Sequence, residues 1–279
     1  MVRNERSREQ FEYERMLRER ILSCTKDVRP DVCASAYADL FAAFPDHSVF
    51  VSDEERIRIG KLNAGMVAPL LKAQSDVLEV GCGRGDVLLE LARLGHRCTG
   101  TEPSVDMIEL CSKEVKVLRG FADRLEFPDA SFDLVFSQQV VEHLHPDDVP
   151  SHFQEAFRVL RLDGVFAVET PNPTTGPQDI SRGFTRTAQG LHLKEWSVGE
   201  LLREFQRAGF RHVQGLLAPP VLARRAAWLH KLSRVPGLMK WIQDGVLRLI
   251  PGLRLRTMCG KALGLEDVFL FARKPHLTL

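Results

Sequence analysis

The sequence predicts an α/β protein with a doubly wound, mostly parallel sheet of seven strands. Three observations support this prediction. Short apolar runs alternate with helix-like segments from residue 77 onward, a three-glycine turn follows the first apolar run, and a long polar connection follows the fifth. Ligands of such sheets bind at the carboxyl ends of the strands, so we expect the functional residues there.

The alternation sets the order of the elements. Strands are predicted near 77–80, 97–101, 116–119, 132–137, 164–170, 211–217 and 267–272. Helices are predicted near 86–94, 104–113, 147–160 and 197–208. The expected domains are an N-terminal helical arm or cap (1–56), a core (57–218), a basic helical insertion (219–263), and the last core strand with its tail (264–279).

The most informative segment is the turn after the first strand, where Asp76–Asp86 reads D-V-L-E-V-G-C-G-R-G-D. Gly81, Gly83 and Gly85 lack the side chains that would keep a ligand away from the backbone, and the amides of the next helix face the turn. The G-x-G-x-G spacing differs from the dinucleotide fingerprint G-x-G-x-x-G. Glu79, inside the strand, suits an ammonium group better than a phosphate. These features favour an adenosine-like ligand.

This turn resembles motif I of class I S-adenosylmethionine-dependent methyltransferases. The resemblance covers roughly residues 60–218 and the last strand, which it places antiparallel between strands five and six. It implies S-adenosylmethionine as the cofactor and methyl transfer as the activity. The residues that we assign to the cofactor are Lys61, Glu79, Gly81, Cys82, Gly83, Gly85, Glu102, Phe121, Ala122, Asp123, Ser137 and Gln138.

Several of these residues have expected roles within the resemblance. Glu102 ends the second strand, where a carboxylate can accept the ribose hydroxyls. Phe121 stands where the family often has an acidic residue, which leaves the adenine amino group to the Ala122 backbone or Asp123 and leaves Phe121 to stack on the ring. Lys61 corresponds to a cation near the ligand carboxylate in ubiquinone-pathway O-methyltransferases, or it is a solvated helix residue.

The catalytic candidates follow strand four, where the family places residues that face the methyl group. His143 is the candidate base, because imidazole titrates near neutral pH, with Glu142 and His192 beside it. The alternative is that Glu142 and His143 form local hydrogen bonds at the start of the next helix. Related ubiquinone-pathway and small-RNA methyltransferases bind a metal through E-x-x-E-H, but Gln139 replaces the first carboxylate here. We therefore predict no metal.

A polar connection of 170–196 follows the fifth strand and is expected to act as a lid or to be a disordered insertion. It is expected to supply the acceptor pocket through Phe184, Arg186, His192 and Trp196. For His192, a structural hydrogen bond is the alternative.

Charge and composition limit the partners. The chain has 38 basic and 37 acidic residues, so nucleic acid is not expected, but 221–263 contains nine Lys or Arg against one acid. This insertion either contacts a membrane surface peripherally or packs as a core or dimerising subdomain. Six cysteines without a C-x-x-C pair, no signal peptide and no membrane-length apolar run predict a cytoplasmic protein, with the inner membrane face as a site of peripheral contact.

The predicted function is transfer of a methyl group from S-adenosylmethionine to an oxygen of a small-molecule or lipid-linked metabolite. The alternative is a catalytically silent methyltransferase fold that acts as a binding subunit through its basic C-terminal helices. A nicotinamide oxidoreductase is disfavoured by the glycine spacing.

Overall fold

The computed structural model describes residues 5–45, 51–216, 234–263 and 265–276. The helices are Glu5–Ser23 (α1), Arg29–Ala43 (α2), Asp53–Val67 (α3), Asp86–Arg93 (α4), Val105–Glu109 (α5), Val149–Val159 (α6), Val198–Arg207 (α7), Gly237–Leu249 (α8) and Leu253–Leu263 (α9). The strands are Asp76–Val80 (β1), Arg97–Glu102 (β2), Lys116–Arg119 (β3), Phe132–Gln138 (β4), Leu160–Pro171 (β5), Gln214–Leu216 (β6), Arg234–Pro236 (β7) and Asp267–Arg273 (β8).

The strands form one sheet in the order β3-β2-β1-β4-β5-β8-β6-β7. Strands β1 to β5 pair in parallel, whereas β8 is antiparallel to both β5 and β6. The doubly wound fold class and the position of the last strand are therefore confirmed. The described residues form eight strands rather than the predicted seven, because β7, inside the insertion predicted to be helical, pairs with the edge of β6. A three-residue strand is too short to produce a readable apolar alternation.

Two other predicted elements are shorter in the structure. The helix predicted over 104–113 ends at Glu109, and the chain then turns around Ser112, whose hydroxyl accepts from the backbone N–H of Glu114. The sixth strand covers 214–216, and residue 217 lies outside the described part. The part of the insertion over 219–233 also lies outside the described residues, so its predicted helical structure stays a prediction there.

The sheet separates two apolar cores. One face packs against α6 and α7 through buried phenylalanines such as Phe153, Phe166 and Phe205, whose rings meet mostly edge to face. The other face packs against α3 and α4, with Met66 and Leu88 fully buried. Because helices cover both faces of the sheet, the strands are nearly continuous apolar runs. The polar residues lie at the strand ends, where they are available to bind a ligand.

A third apolar cluster joins α1 and α2 to the connection that follows β5. Leu17 and Leu40 pack there with Leu191. The Arg29 guanidinium of α2 also contacts the Asp148 carboxylate, just before α6, at 2.7 Å in a buried pair. The first two helices are thus attached to the polypeptide around the carboxyl edge of the sheet.

Candidate active site

The candidate site lies at the carboxyl edge of the parallel strands. The strands β1, β2, β4 and β5 all end there, which brings the turn after Val80 close to Glu102, Gln138 and Pro171. Loops at this edge bind ligands in open α/β sheets.

The three glycines of the turn have positive φ angles of 70°, 53° and 73° at Gly81, Gly83 and Gly85. Their surroundings differ. A Cβ on Gly81 would lie 2.6 Å from the Val140 side chain, whereas a Cβ on Gly83 would have no heavy atom within 4 Å. Gly81 therefore allows close packing, and Gly83 leaves open space over the turn, as a bound ligand requires.

Cys82, between them, points its side chain into the protein. Its Sγ would lie 2.5 Å from a Cβ built on Gly100, and the residue is buried. Burial raises the pKa of this thiol. Only the backbone of Cys82 is left to meet a ligand.

The Glu102 carboxylate holds the glycine turn to the end of β2. One oxygen accepts from the backbone N–H of Gly83 and the other from that of Ser104, each at 3.0 Å. Burial raises the pKa of Glu102, although both hydrogen bonds act in the opposite direction. Each carboxylate oxygen has a second lone-pair direction, so the same group can accept from a ligand hydroxyl.

Glu79 is the clearest sign of a cationic ligand group. It is 4% exposed, and its Oε2 has no hydrogen-bond partner among the described residues. Burial raises its pKa well above the usual value, and the charges of Asp86 and Glu102 raise it further. A buried carboxylate in this position is costly unless a cation or donor meets it, and the ammonium group of S-adenosylmethionine fits that requirement.

Lys61 lies on α3 and is exposed. Near it, the Arg56 side chain of the same helix pairs with the carboxylate of Asp86, the first residue of α4. A Cβ on Gly60 would lie 3.0 Å from the Asp86 Cβ, so α3 closely approaches the glycine motif. Contact between Lys61 and the cofactor stays a prediction.

The predicted adenine loop is held by a histidine that the sequence reasoning missed. His152 of α6 is fully buried and contacts the Ala122 carbonyl through Nδ1 and the Ser137 hydroxyl through Nε2, each at 3.2 Å. Burial lowers the pKa of His152 to about 4, so the ring is neutral, with Nδ1 as the donor to the carbonyl. The Arg119 guanidinium lies 5.9 Å from the ring centre of half-buried Phe121.

Two other residues assigned to the cofactor have distinct surroundings. Asp123 is half-buried beside this loop. The Gln138 amide donates to the Glu169 carboxylate at 2.7 Å, and its own oxygen is buried without a partner among the described residues. An unpaired acceptor next to the carboxyl edge fits a ligand donor.

The three catalytic candidates converge. Glu142, His143 and His192 each offer one ligand-type atom, and these atoms lie within 4.8 Å of one another. The Nδ1 atom of His143 is 3.0 Å from the Leu191 carbonyl and 2.9 Å from the Tyr37 hydroxyl. Because a carbonyl can only accept, Nδ1 carries the proton, which leaves the lone pair on Nε2.

The surroundings shift the pKa values of Glu142 and His192. Burial raises the pKa of Glu142 to about 7, against the effect of the nearby His192 charge and a 2.9 Å hydrogen bond from the Thr170 hydroxyl. Burial opposes the charged form of His192, but its hydrogen bond with Glu195 and the charge of Glu142 leave its pKa raised. The site therefore favours the neutral form of the Glu142 carboxyl and the charged form of the His192 ring.

The structure does not gather the four residues proposed for the acceptor pocket. His192 lies 4.8 Å, ring centre to ring centre, from His143. The Phe184 ring stacks on Phe11 of α1 at 4.7 Å, and Trp196 belongs to the buried core. Arg186 lines a separate cleft beside α9. Of the four residues, only His192 lies in the cluster of catalytic candidates, because the connection of 170–196 packs against α1 and α2.

Tyr37 and Thr170 were also missed by the sequence reasoning. Both contact the catalytic cluster from elements far from it along the chain. Tyr37 lies on a helix without a glycine motif, so only its aromatic type in a predicted cap was available as a sign.

Comparison with known proteins agrees with this geometry. Residues 78–168 match the family model described as "Methyltransferase domain". A Mycolicibacterium smegmatis protein with the name "Probable S-adenosylmethionine-dependent methyltransferase" is 37% identical over 141 residues, which are 50% of this chain and 52% of that protein. A Mycobacterium tuberculosis relative with the same descriptive name is 35% identical over 147 residues, covering 52% and 51%. The chain thus spans about half the length of these curated relatives.

Solved structures show the same fold. The crystal structure of a SAM-dependent methyltransferase from Archaeoglobus fulgidus superposes with a TM-score of 0.56 at 22% identity, covering 78% of this chain and 94% of that one. YcgJ of Bacillus subtilis gives a TM-score of 0.50 at 19% identity, covering 77% and 98%.

The sheet order and the glycine turn, with acids at the ends of β1 and β2, define a class I methyltransferase fold. Residues 78–168 thus match a methyltransferase domain, and the relatives named above are described as S-adenosylmethionine-dependent methyltransferases. The fold and these matches imply S-adenosylmethionine as the cofactor.

Proposed function

We propose that this protein transfers the methyl group of S-adenosylmethionine to an oxygen of a small-molecule or lipid-linked metabolite. The observation that carries the proposal is the buried Glu79 carboxylate, whose Oε2 has no partner among the described residues, just before a glycine turn that Glu102 ties to the end of β2. When bound, the cofactor supplies a methyl group that its sulfonium already activates. The protein then has to position an acceptor in line with that methyl group and remove the acceptor's proton.

His143 is suited to the second task. Its proton on Nδ1 is held by the Leu191 carbonyl, so Nε2 is the basic atom, and the hydroxyl of Tyr37 fixes the ring further. When His143 gains a proton from a hydroxyl acceptor, the nearby Glu142 carboxylate stabilises the positive ring. His192, the third member of the cluster, is itself held by the Glu195 carboxylate at 2.9 Å.

The test separates binding from turnover. Calorimetry should give binding of S-adenosylmethionine and of its demethylated product, with no binding of NAD. With an acceptor found by mass spectrometry of methylated products, His143→Ala should lower kcat roughly 100-fold or more and leave cofactor affinity within about twofold, because the base acts only on the acceptor.

His145→Ala is the matched control for this experiment. His145 lies two residues further on, and its ring accepts from the backbone N–H of Asp147. An equal loss in both variants, or weaker cofactor binding in His143→Ala, would remove His143 from the role of base.

A second candidate is metal-assisted transfer, favoured by the convergence of Glu142, His143 and His192. One carboxylate and two imidazoles match a transition metal better than magnesium. The exposed Gln139 adds only an amide, which donates to Asp267 at 3.4 Å. Loss of activity with EDTA, restored by a divalent metal, would favour this mechanism, whereas full activity in EDTA supports His143 as a metal-free base.

A further inference from the structure

Helix α8 has its polar and apolar sides reversed relative to the usual surface helix. Lys240 and Asp244 are 6% and 5% exposed, and face the protein. Its outward side carries six large apolar residues: Leu238 (61% exposed), Met239 (46%), Trp241 (52%), Ile242 (51%), Val246 (59%) and Leu249 (81%). A helix on the surface of a soluble protein normally buries its apolar stripe, so this face is built to be covered.

The buried polar residues of α8 bond mainly within the helix. Lys240 donates to the Gln243 amide oxygen at 2.7 Å. Asp244 accepts from the Arg248 guanidinium at 3.0 Å, and Arg248 also reaches the Thr174 hydroxyl at 3.2 Å. The Arg248–Thr174 bond ties α8 to the segment after β5, and a Cβ on Gly215 of β6 would press against the Lys240 side chain, so the side of α8 that carries Lys240 packs against the sheet.

Positive charge borders this apolar face. From 234 to 263 the chain has six Lys or Arg and one acid, Asp244; Lys240 and Asp244 are both buried, and Arg248 pairs with Asp244. Next to α9, Arg186, Arg254 and Arg256 line a cleft of about 720 Å³, and no carboxylate is among its described lining residues. The Nε of Arg256 is buried without a partner in the described part of the chain. Planar guanidinium groups in such an arrangement suit phosphate oxygens.

An apolar helix face and an arginine-lined cleft on the following helix match the surface of an anionic bilayer, where acyl chains lie directly under phosphate groups. Helix α8 has 13 residues, a length of about 20 Å, and no helix among the described residues is long and apolar enough to cross a membrane. Such a helix lies along the interface. A second copy of the chain fits less well, since a two-fold contact would place the arginine cluster near its own copy.

We propose that the outward face of α8, together with the arginine cleft beside α9, docks this protein on anionic phospholipid membranes. The apolar residues enter the acyl boundary, and the arginines bind lipid phosphates. This inference does not depend on the identity of the methyl acceptor. It places the membrane next to the carboxyl edge of the sheet, because Thr257 of α9 donates to the carbonyl of Thr175, just after β5.

The test is flotation of the full chain with phosphatidylcholine vesicles that contain or lack phosphatidylglycerol. We expect capture by the anionic vesicles only. The double variant Ile242→Glu with Leu249→Glu should lower the partition coefficient roughly tenfold or more, since charge is excluded from the acyl boundary. Arg254→Ala with Arg256→Ala should lower it roughly thirtyfold, because each basic residue contributes about a factor of five.

The matched control is Leu94→Glu with Leu162→Glu, which places the same charges on apolar residues that are 63% and 52% exposed elsewhere on the surface. This control should float like the unchanged protein. Quenching of Trp241 by brominated lipid, obtained as the difference from Trp241→Phe, gives a second readout if the glutamate variant is unstable.

Four results would overturn the proposal. The first three are absence of flotation with anionic vesicles, equal capture by neutral vesicles, and a dimer in light scattering that the α8 glutamates dissociate while the protein never floats. The last result would assign the face to a second copy of the chain. An equal loss in the control pair would also contradict it, because the effect would then follow net charge alone.

Discussion

Replacement of Glu102 by alanine tests the cofactor site most directly, because this carboxylate has two tasks. It holds the backbone N–H groups of Gly83 and Ser104, and we expect it to accept the ribose hydroxyls. Loss of a charge-assisted hydrogen-bond pair to the ligand costs about 1 to 3 kcal/mol, which is roughly a 5- to 150-fold increase in Kd for S-adenosylmethionine.

The structure adds a stability effect to this prediction. Alanine leaves two backbone donors without their acceptor, and both Gly83 and Ser104 are half-buried, so water replaces the carboxylate only in part. We expect a loss of about 1 to 3 kcal/mol in the free energy of unfolding. Glu102→Gln keeps one acceptor and should fall between the unchanged protein and the alanine variant in both measurements.

Calorimetry with S-adenosylmethionine measures the affinity, and urea unfolding measures the stability. Glu109→Ala is the control, since this carboxylate is exposed on the neighbouring α5. An affinity for Glu102→Ala within twofold of the unchanged protein would refute ribose binding by Glu102. If Glu102→Ala is as stable as the unchanged protein but binds the cofactor weakly, the carboxylate binds the ligand and contributes little to the stability of the fold.

Three further predictions follow from the site. Gly83→Val should abolish cofactor binding and keep the fold, because the valine side chain enters the open space expected to hold the ligand. Gly95→Val, at another glycine with a positive φ and open surroundings, controls for backbone strain. Cofactor binding by a folded Gly83→Val variant would contradict the assignment. Burial raises the pKa of Glu142 to about 7 in the folded protein, so as pH rises this carboxyl ionises first in the unfolded chain, and the free energy of unfolding should fall from about pH 4.5 to 7. Glu142→Gln should reduce this fall, measured by urea unfolding. An unchanged pH profile in the variant would contradict the prediction. Tyr37→Phe should lower kcat roughly three- to tenfold and shift the pH profile of kcat, because the hydrogen bond to His143 is lost, while cofactor affinity in calorimetry stays unchanged. Tyr13→Phe is the control. Equal effects of the two variants would exclude a role for Tyr37 in positioning the His143 ring.

Most of the central sheet could be predicted because its residues interact locally and repeat. The apolar run and three glycines around Gly83 identified β1 and the cofactor turn, and β3 begins and ends at the expected residues, Lys116 and Arg119. A buried parallel strand bounded by turn residues leaves a pattern that can be read from the sequence alone. The convergence of His192 on His143 was foreseen only as an option, since 48 residues separate His143 from the Leu191 carbonyl that fixes it.

The missed residues share a physical reason. Tyr37 and His152 lie on helices. The Tyr37 hydroxyl bonds to His143, far away along the chain, and the His152 ring bonds to the buried Ser137 hydroxyl. A helix pattern indicates which side is buried, but not which polar group on that side finds a partner. The strand β7 was missed for the same reason, because pairing depends on distant elements, and the sequence left open whether the apolar residues of 221–263 contact a membrane or pack within the protein.

The proposed acceptor side of the site lies largely outside the segment that matches the methyltransferase-domain model. That segment, 78–168, contains the glycine turn and His143, whereas Tyr37 and the Leu191 carbonyl that hold the His143 ring lie before and after it. His192, the third member of the cluster, lies outside it as well. Chains that share the cofactor half can therefore position the same histidine against different acceptors. On this basis, replacing the first two helices and the connection after β5 should change acceptor choice while cofactor affinity is retained.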